Sequence, residues 1–153
     1  MGTLAWWPVV IALAVATFTD LRSRRIPNWL TLPLLVAGLA AGGVVDGLPG
    51  LARSAAGAGL AVVLLVAFCF LRGMGWGDLK LCAAVGAWVG PGQLAFALVA
   101  TGIAGGLMAM AALLRPGAAG RKATRLTLDD PAAVKLPYAP AIAIGTLFSF
   151  LAK

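Results

Sequence analysis

Two aspartates stand in short polar segments between long apolar runs, and these are the residues best placed to do chemistry. Asp78 lies in the segment 73–80, Gly-Met-Gly-Trp-Gly-Asp-Leu-Lys, with apolar or small residues at 55–71 before it and 81–90 after it. Asp20 follows the first apolar run of the chain. Ionisable groups at the edge of a membrane are costly, and they usually mark a functional site. The alternative for Asp78 is structural, as a cap on the helix that follows a glycine-rich turn.

Two carboxylates on one face of a membrane protein can share a proton. One then acts as a general base on a water molecule, and the other acts as an acid towards a carbonyl oxygen, which is the chemistry of aspartic proteases. The chain has no histidine and no glutamate, which excludes HExxH zinc chemistry and Ser-His or Cys-His pairs. Two isolated cysteines cannot supply the four ligands of a structural zinc site. We therefore expect neither a metal nor a cofactor. The alternative function is proton- or ion-coupled transport through the bundle.

The composition is that of an integral membrane protein. The chain has 153 residues, of which 61% are hydrophobic and 11% charged, and its mean hydropathy is +0.98. A soluble domain would carry about a quarter charged residues. The formal charge of +7 is interpreted as a topology signal rather than as nucleic-acid binding. We expect a single transmembrane domain, residues 1–153, surrounded by lipid and without a nucleic-acid partner.

Six apolar runs predict an all-α polytopic membrane protein, with six transmembrane helices in a single bundle. The runs cover 2–19, 29–45 (interrupted by Pro33), 51–71, 79–89, 93–114 and 137–152. The breaks between them are polar or rich in glycine and proline, and they cover 20–28, 46–50, 73–78, 90–92 and 115–136. About 20 apolar residues cross a bilayer, so the fourth and sixth runs are short. The small residues from Gly102 to Gly106 predict a face for close helix packing.

The basic residues predict the orientation of the bundle. Ten of the twelve lysines and arginines follow odd-numbered runs, and two lie on the other side. By the positive-inside rule, the odd-numbered loops are then cytoplasmic and both termini lie outside. This orientation places Asp20 and Asp78 together at the cytoplasmic face and Asp46 at the opposite face.

Three sequence blocks, in order, resemble those of the type IV prepilin peptidase family of GxGD-type aspartic membrane proteases. Residues 75–80, Gly-Trp-Gly-Asp-Leu-Lys, match the GxGDxK signature of that family. Residues 20–28, Asp-Leu-Arg-Ser-Arg-Arg-Ile-Pro-Asn, resemble its other aspartate segment. Residues 135–145 resemble its last conserved block, with Ala139 where glycine is common. The resemblance covers nearly the whole chain.

The resemblance implies a six-helix membrane peptidase that removes the short basic leader of prepilins or pseudopilins at the cytoplasmic face. Asp20 and Asp78 would be its catalytic pair. The residues expected to bind substrate or support the site are Gly75, Gly77, Lys80, Arg22, Pro137 and Pro140. The glycines would give room to an extended substrate backbone, and the prolines would keep nearby carbonyls free of helical bonding. For the two basic residues, a role as topology determinants and lipid contacts is equally open.

The chain is similar to the short members of this family. Long bifunctional members carry a cytoplasmic insertion with a four-cysteine zinc site, and they also methylate the new N-terminus. Here the first run leads directly to Asp20, as in the peptidases of tight-adherence (Flp) pili and in archaeal preflagellin peptidases. We expect a peptidase of the cytoplasmic (inner) membrane without a soluble zinc or methyltransferase insertion. The sequence leaves the pilin substrate, the cleavage site and the oligomeric state open.

Overall fold

The computed structural model describes residues 6–23, 26–70, 75–113 and 139–151. All regular secondary structure in these residues is α-helical. The helices are α1 (Trp6–Ser23), α2 (Asn28–Phe70), α3 (Trp76–Val89), α4 (Pro91–Leu113) and α5 (Ala139–Leu151). No strand occurs in the described part of the chain, and the all-α class predicted from the sequence is confirmed.

The long helix α2 reverses direction at Gly47, where φ is 64° and ψ is −148°. A Cβ built on Gly42 would lie 2.8 Å from the carbonyl oxygen of Gly50. Eight residues of straight helix span about 12 Å, so this contact requires the chain to fold back on itself. The two arms of α2, 28–46 and 48–70, therefore lie side by side. The sequence predicted a turn of five residues at 46–50. In the structure the reversal is made at Gly47, because only glycine adopts this positive φ at low cost.

The helices differ from the predicted apolar runs at three points. The first helix continues to Ser23, so Asp20 lies in its last turn rather than in a loop. Pro33 does not interrupt α2, because a proline near the start of a helix removes few backbone hydrogen bonds. The predicted three-residue break after α3 is confined to Gly90, with φ of 81°. Pro91 already begins α4, a position that suits the fixed φ of proline.

Helix α3 lies at the centre of the bundle, and close backbone contacts hold both arms of α2 against it. A Cβ on Gly86 would lie 2.8 Å from the carbonyl carbon of Gly57 in the second arm. In the first arm, a Cβ on Gly38 would lie 2.8 Å from Cδ1 of Trp88. The indole N–H of Trp88 also donates a hydrogen bond of 2.9 Å to the carbonyl oxygen of Leu34. Small residues allow helices to approach this closely.

A close contact of α4 with α5 lies beside Thr101, next to the predicted small-residue stretch at 102–106. A Cβ on Gly102 or Gly106 would meet no described atom within 4 Å. Instead, Gly145 of α5 packs on α4, where an added Cβ would lie 2.6 Å from the backbone nitrogen of Thr101. The described helices therefore place a tight crossing beside Thr101, and none of their atoms covers Gly102 or Gly106.

Among the described helices, one stretch is long and apolar enough to cross a membrane by length and composition, Asn28–Ala67 within α2. Pro91–Leu107 and Ala139–Phe150 are shorter apolar stretches. Large apolar side chains are exposed on every helix, including Phe18, Val36, Trp76, Phe96 and Phe148. Extensive apolar surface of this kind marks contact with a membrane or with other proteins.

Candidate active site

Asp20 and Asp78 lie at the same end of the bundle, on different helices. Asp20 is in the last turn of α1 and Asp78 in the first turn of α3. Farther along, Ala12 of α1 and Ala84 of α3 belong to one buried cluster with Leu34 of α2, so α1 and α3 run in opposite directions. The carboxylates are 7% and 8% exposed, respectively. Aspartate is almost never this buried unless it has a partner. The structure thus brings together the two aspartates singled out by the sequence.

The two aspartates interact electrostatically. Asp78 lies ahead of the apolar run 79–89, at the entrance to α3. Asp78 is buried, and the negative charge of Asp20 acts on its carboxylate. A carboxyl group that keeps its proton beside a second carboxylate is the arrangement needed for paired acid and base chemistry.

Asp78 also caps its own helix. The backbone N–H of Gly75, the residue that precedes α3, donates a hydrogen bond of 3.3 Å to Oδ2 of Asp78. An acidic residue at the third helical position commonly satisfies the backbone N–H at the helix start in this way. Asp78 therefore does cap α3, as the structural alternative predicted. The same hydrogen bond holds its carboxylate near that of Asp20.

Asp20 is held by the start of α5. The backbone N–H of Ala139, the first residue of that helix, donates a buried hydrogen bond of 3.1 Å to Oδ2 of Asp20. The first N–H groups of a helix have no partner within the helix, so they are free to bind a carboxylate. This bond joins α1 to α5 and orients the Asp20 side chain.

The segment between α1 and α2 closes against the start of α3. A Cβ built on Gly77 would lie 3.1 Å from Cβ of Ile26, so the space beside this glycine is occupied by the chain itself. Nearby, Nζ of Lys80 donates a hydrogen bond of 3.0 Å to Oδ1 of Asn28. Lys80 therefore ties the segment that follows Asp20 to the helix that carries the second aspartate.

The other predicted site residues differ in their distance from the pair, and Gly75 is bonded directly to Asp78. Arg22 is exposed in the last turn of α1, and Gly75 is exposed beside α3. Pro140 is the second residue of α5 and is half-buried. Pro137 lies outside the described residues. Asp46 is remote from the pair, because it lies beside the bend of α2 at the other end of the bundle. There it forms an ion pair of 2.8 Å with Arg53.

Two buried aspartates that interact across helices form the kind of pair on which aspartic hydrolases depend. Comparison with known proteins identifies the family. The sequence model of the type IV leader peptidase family matches residues 7–110, so the chain belongs to the type IV leader peptidase family. This match includes both aspartates and the sequence blocks at 20–28 and 75–80, and it confirms the resemblance to the family.

Curated relatives share this family. A prepilin leader peptidase/N-methyltransferase of Aeromonas hydrophila is 40% identical over 74% of this chain and 41% of its own length. The proteins of the same name from Burkholderia pseudomallei (strain K96243) and Bacillus subtilis (strain 168) are 34% and 32% identical. Those matches cover 96% and 97% of this chain, and 47% and 57% of the relatives. The chain thus spans about half the length of the curated relatives it matches. No solved structure matches it.

Proposed function

We propose that the chain is an aspartic endopeptidase that removes the leader peptide of type IV (Flp-like) prepilins or pseudopilins. The observation that carries this proposal is the pairing of Asp20 and Asp78, which are both buried and come from different helices. The relatives are named for leader peptidase and N-methyltransferase activities. The proposal for this chain covers peptide hydrolysis and not methyl transfer, because a carboxylate pair supports hydrolysis.

The two aspartates have different roles in the proposed hydrolysis, one as the base and the other as the acid. Asp20, as the ionised partner, takes a proton from a water molecule, and the water oxygen attacks the scissile carbonyl carbon. Asp78, as the protonated partner, donates its proton to the carbonyl oxygen. When the tetrahedral intermediate collapses, the C–N bond breaks and the leaving amine takes the proton now on Asp20. Asp78 regains a proton from a hydroxyl of the intermediate as the carbonyl group re-forms, so the pair returns to its starting state. Neither step needs a histidine or a metal.

The substrate is proposed to bind in extended form beside Gly75. A scissile bond must leave helical geometry to expose its carbonyl group, and an extended strand needs room and backbone partners. Gly75 is exposed, and the nearest atom to a Cβ built there is Oδ2 of Asp78 at 3.0 Å. Gly77 is proposed to support the site through its contact with Ile26 rather than through open space. Pro137 and Pro140, at the start of α5, are proposed to flank the substrate on the other side.

We infer that six helical segments span the cytoplasmic membrane, with the two arms of α2 counted separately. The exposed apolar side chains support this placement, because lipid would cover them. The aspartate pair would face the cytoplasm and both termini would lie outside, as the distribution of basic residues predicts. Helix α3, the fourth of these segments, has 14 residues and is about 21 Å long, so it is shorter than the ~30 Å hydrocarbon core. Asp78 at its start would then lie below the membrane surface, in a notch open to water.

Transport of protons or ions is not supported. A conducting path needs access from both faces, and the aspartate at the far end, Asp46, is bound to Arg53 beside the bend of α2. We expect no proton flux in proteoliposomes above that of the variant with both Asp20→Asn and Asp78→Asn. A flux that depends on Asp78 would favour the transporter.

The substrate is tested by co-expression with candidate prepilins that carry short basic leaders. We expect a mobility shift and, by mass spectrometry, a single new N-terminus at the end of the leader. The variant Asp46→Asn is the matched control, because it removes a carboxylate at the other end of the bundle, and it should process normally. Intact prepilin in every pairing, despite a folded protein in the membrane, would contradict the proposal.

A further inference from the structure

The backbone of Gly75 is tied to the first turn of α3 at both of its polar groups. Its carbonyl oxygen accepts the N–H of Asp78 at 3.1 Å and the N–H of Leu79 at 3.3 Å. Its own N–H donates a hydrogen bond to Oδ2 of Asp78. A displacement of Gly75 therefore moves the carboxylate of the proposed acid, and glycine has no side chain of its own that could hold this backbone in place.

The side chain of Cys69 reaches the same backbone from another helix. Cys69 is the last residue but one of α2, and its thiol donates a hydrogen bond of 3.8 Å to the carbonyl oxygen of Gly75. The residue is 5% exposed, so neither water nor lipid readily replaces the thiol. The charge of Asp78 acts on this thiol as well, which places the sulfur within electrostatic range of the carboxylate. The contacts thus lead from Cys69 to Gly75 and from Gly75 to Asp78.

We propose that Cys69 is a positioning residue for the catalytic acid and that it acts through the backbone of Gly75. The thiol holds the carbonyl group of Gly75, and the N–H of Gly75 holds the carboxylate of Asp78. A thiol is a weak donor, but a small displacement suffices, because a misplacement of about 1 Å at a reacting group can lower a rate about 10²-fold. This proposal rests on the proposed peptidase function.

Two substitutions at Cys69 test the proposal, with kcat for prepilin cleavage measured on the whole chain in detergent. Serine keeps a donor at this place, and alanine leaves the place empty. We expect Cys69→Ala to lower kcat about tenfold and Cys69→Ser to keep most of the wild-type rate. A residue that only fills an apolar core would give the opposite order, because burying a hydroxyl there is costly. Wild-type kcat in Cys69→Ala, or a slower rate in Cys69→Ser than in Cys69→Ala, would overturn the proposal.

Cys82 supplies the matched control, since it is the other cysteine of the chain and is 1% exposed in the apolar core. We expect Cys82→Ala and Cys82→Ser to cleave with nearly the wild-type kcat. The serine variant should melt below the alanine variant, because its hydroxyl lies among apolar side chains. A loss of kcat in Cys82→Ala as large as that in Cys69→Ala would overturn the specific role of Cys69.

The route through Gly75 is tested by a double-mutant cycle with Gly75→Ala, whose Cβ would lie 3.0 Å from Oδ2 of Asp78. Both changes displace the same carboxylate, so their effects on kcat should not multiply. In the Gly75→Ala background, Cys69→Ala should lower kcat by less than about twofold. A further loss of about tenfold in that background would overturn the route through Gly75.

Hydrogen exchange separates this proposal from the peptidase function. The amides of Asp78 and Leu79 bond to the carbonyl oxygen of Gly75, so they should exchange several-fold faster in Cys69→Ala than in Cys82→Ala. Cys69→Ser should exchange at nearly the wild-type rate. If the wild-type protein cleaves no prepilin, the peptidase proposal fails, and the exchange rates still show whether Cys69 holds Gly75. Equal exchange in the two alanine variants would overturn that contact.

Discussion

Replacing Gly77 with alanine tests whether the segment after Asp20 is packed directly on α3. The new Cβ would lie 3.1 Å from Cβ of Ile26, whereas ordinary contacts of this kind are 3.4–4 Å. The two carbons must therefore separate by a few tenths of an ångström. Overpacking of this kind costs roughly 1–3 kcal/mol. Alanine in a helix recovers about 0.5–1 kcal/mol relative to glycine. We expect a net loss of about 1 kcal/mol, which lowers the Tm by about 2–4 °C.

The assay is thermal unfolding of the purified protein in detergent. Gly59→Ala is the matched control, because Gly59 is also helical and no described atom lies within 4 Å of a Cβ built there. Its Tm should stay level or rise. Adding Ile26→Gly to Gly77→Ala should cost less than Ile26→Gly costs alone, since glycine has no Cβ and its introduction removes the clash. A Gly77→Ala protein that melts with or above the Gly59→Ala control would refute the reasoning.

Three further predictions concern the site itself. Gly75→Ala places a Cβ 3.0 Å from Oδ2 of Asp78 and should displace the carboxylate; we expect a folded protein with about 10²-fold lower kcat, and wild-type cleavage would contradict it. Asp78 can act as the acid only while it holds its proton, so the rate of prepilin cleavage should fall as the pH rises and that proton is lost. A rate that climbs steadily to pH 8 would refute the role of Asp78 as the acid. Lys80→Met removes an exposed hydrogen bond to Asn28 and should cost about 0.5–1.5 kcal/mol by thermal unfolding. Asn28→Ala should then add little to it, and fully additive effects would show that the two residues act independently.

Much of the fold was predictable because the apolar runs are long and the breaks between them carry strong local signals. Proline disfavours helix at the residue before it, and the connection at Ile26 and Pro27 lies where that rule places it. The common end for Asp20 and Asp78 followed from the alternating direction of successive helices. The ends of the helices were harder to predict, because a helix can continue through polar residues. Helix α1, for example, continues past Asp20 to Ser23.

The contacts that build the site were not predictable from one sequence. The N–H of Ala139 reaches Asp20 across 119 residues of chain, and no local pattern encodes such a bond. The contact of Gly77 with Ile26 depends on how two separate segments meet, although both residues belong to blocks that the sequence singled out. The small residues at 102–106 gave a packing signal, and a tight crossing with α5 lies beside Thr101, next to that stretch; the residue at which Gly145 meets α4 is not specified by any local pattern.

The central claim is that Asp20 and Asp78 act as one catalytic pair, and its most direct test is cleavage of a purified prepilin by the Asp20→Asn and Asp78→Asn variants in detergent. Asparagine keeps the shape of the side chain but cannot take up or deliver the proton. We expect each variant to fold, to insert in the membrane and to release no detectable leader peptide, while Asp46→Asn cleaves at the wild-type rate. Processing at the wild-type rate by either Asp20→Asn or Asp78→Asn would contradict the account.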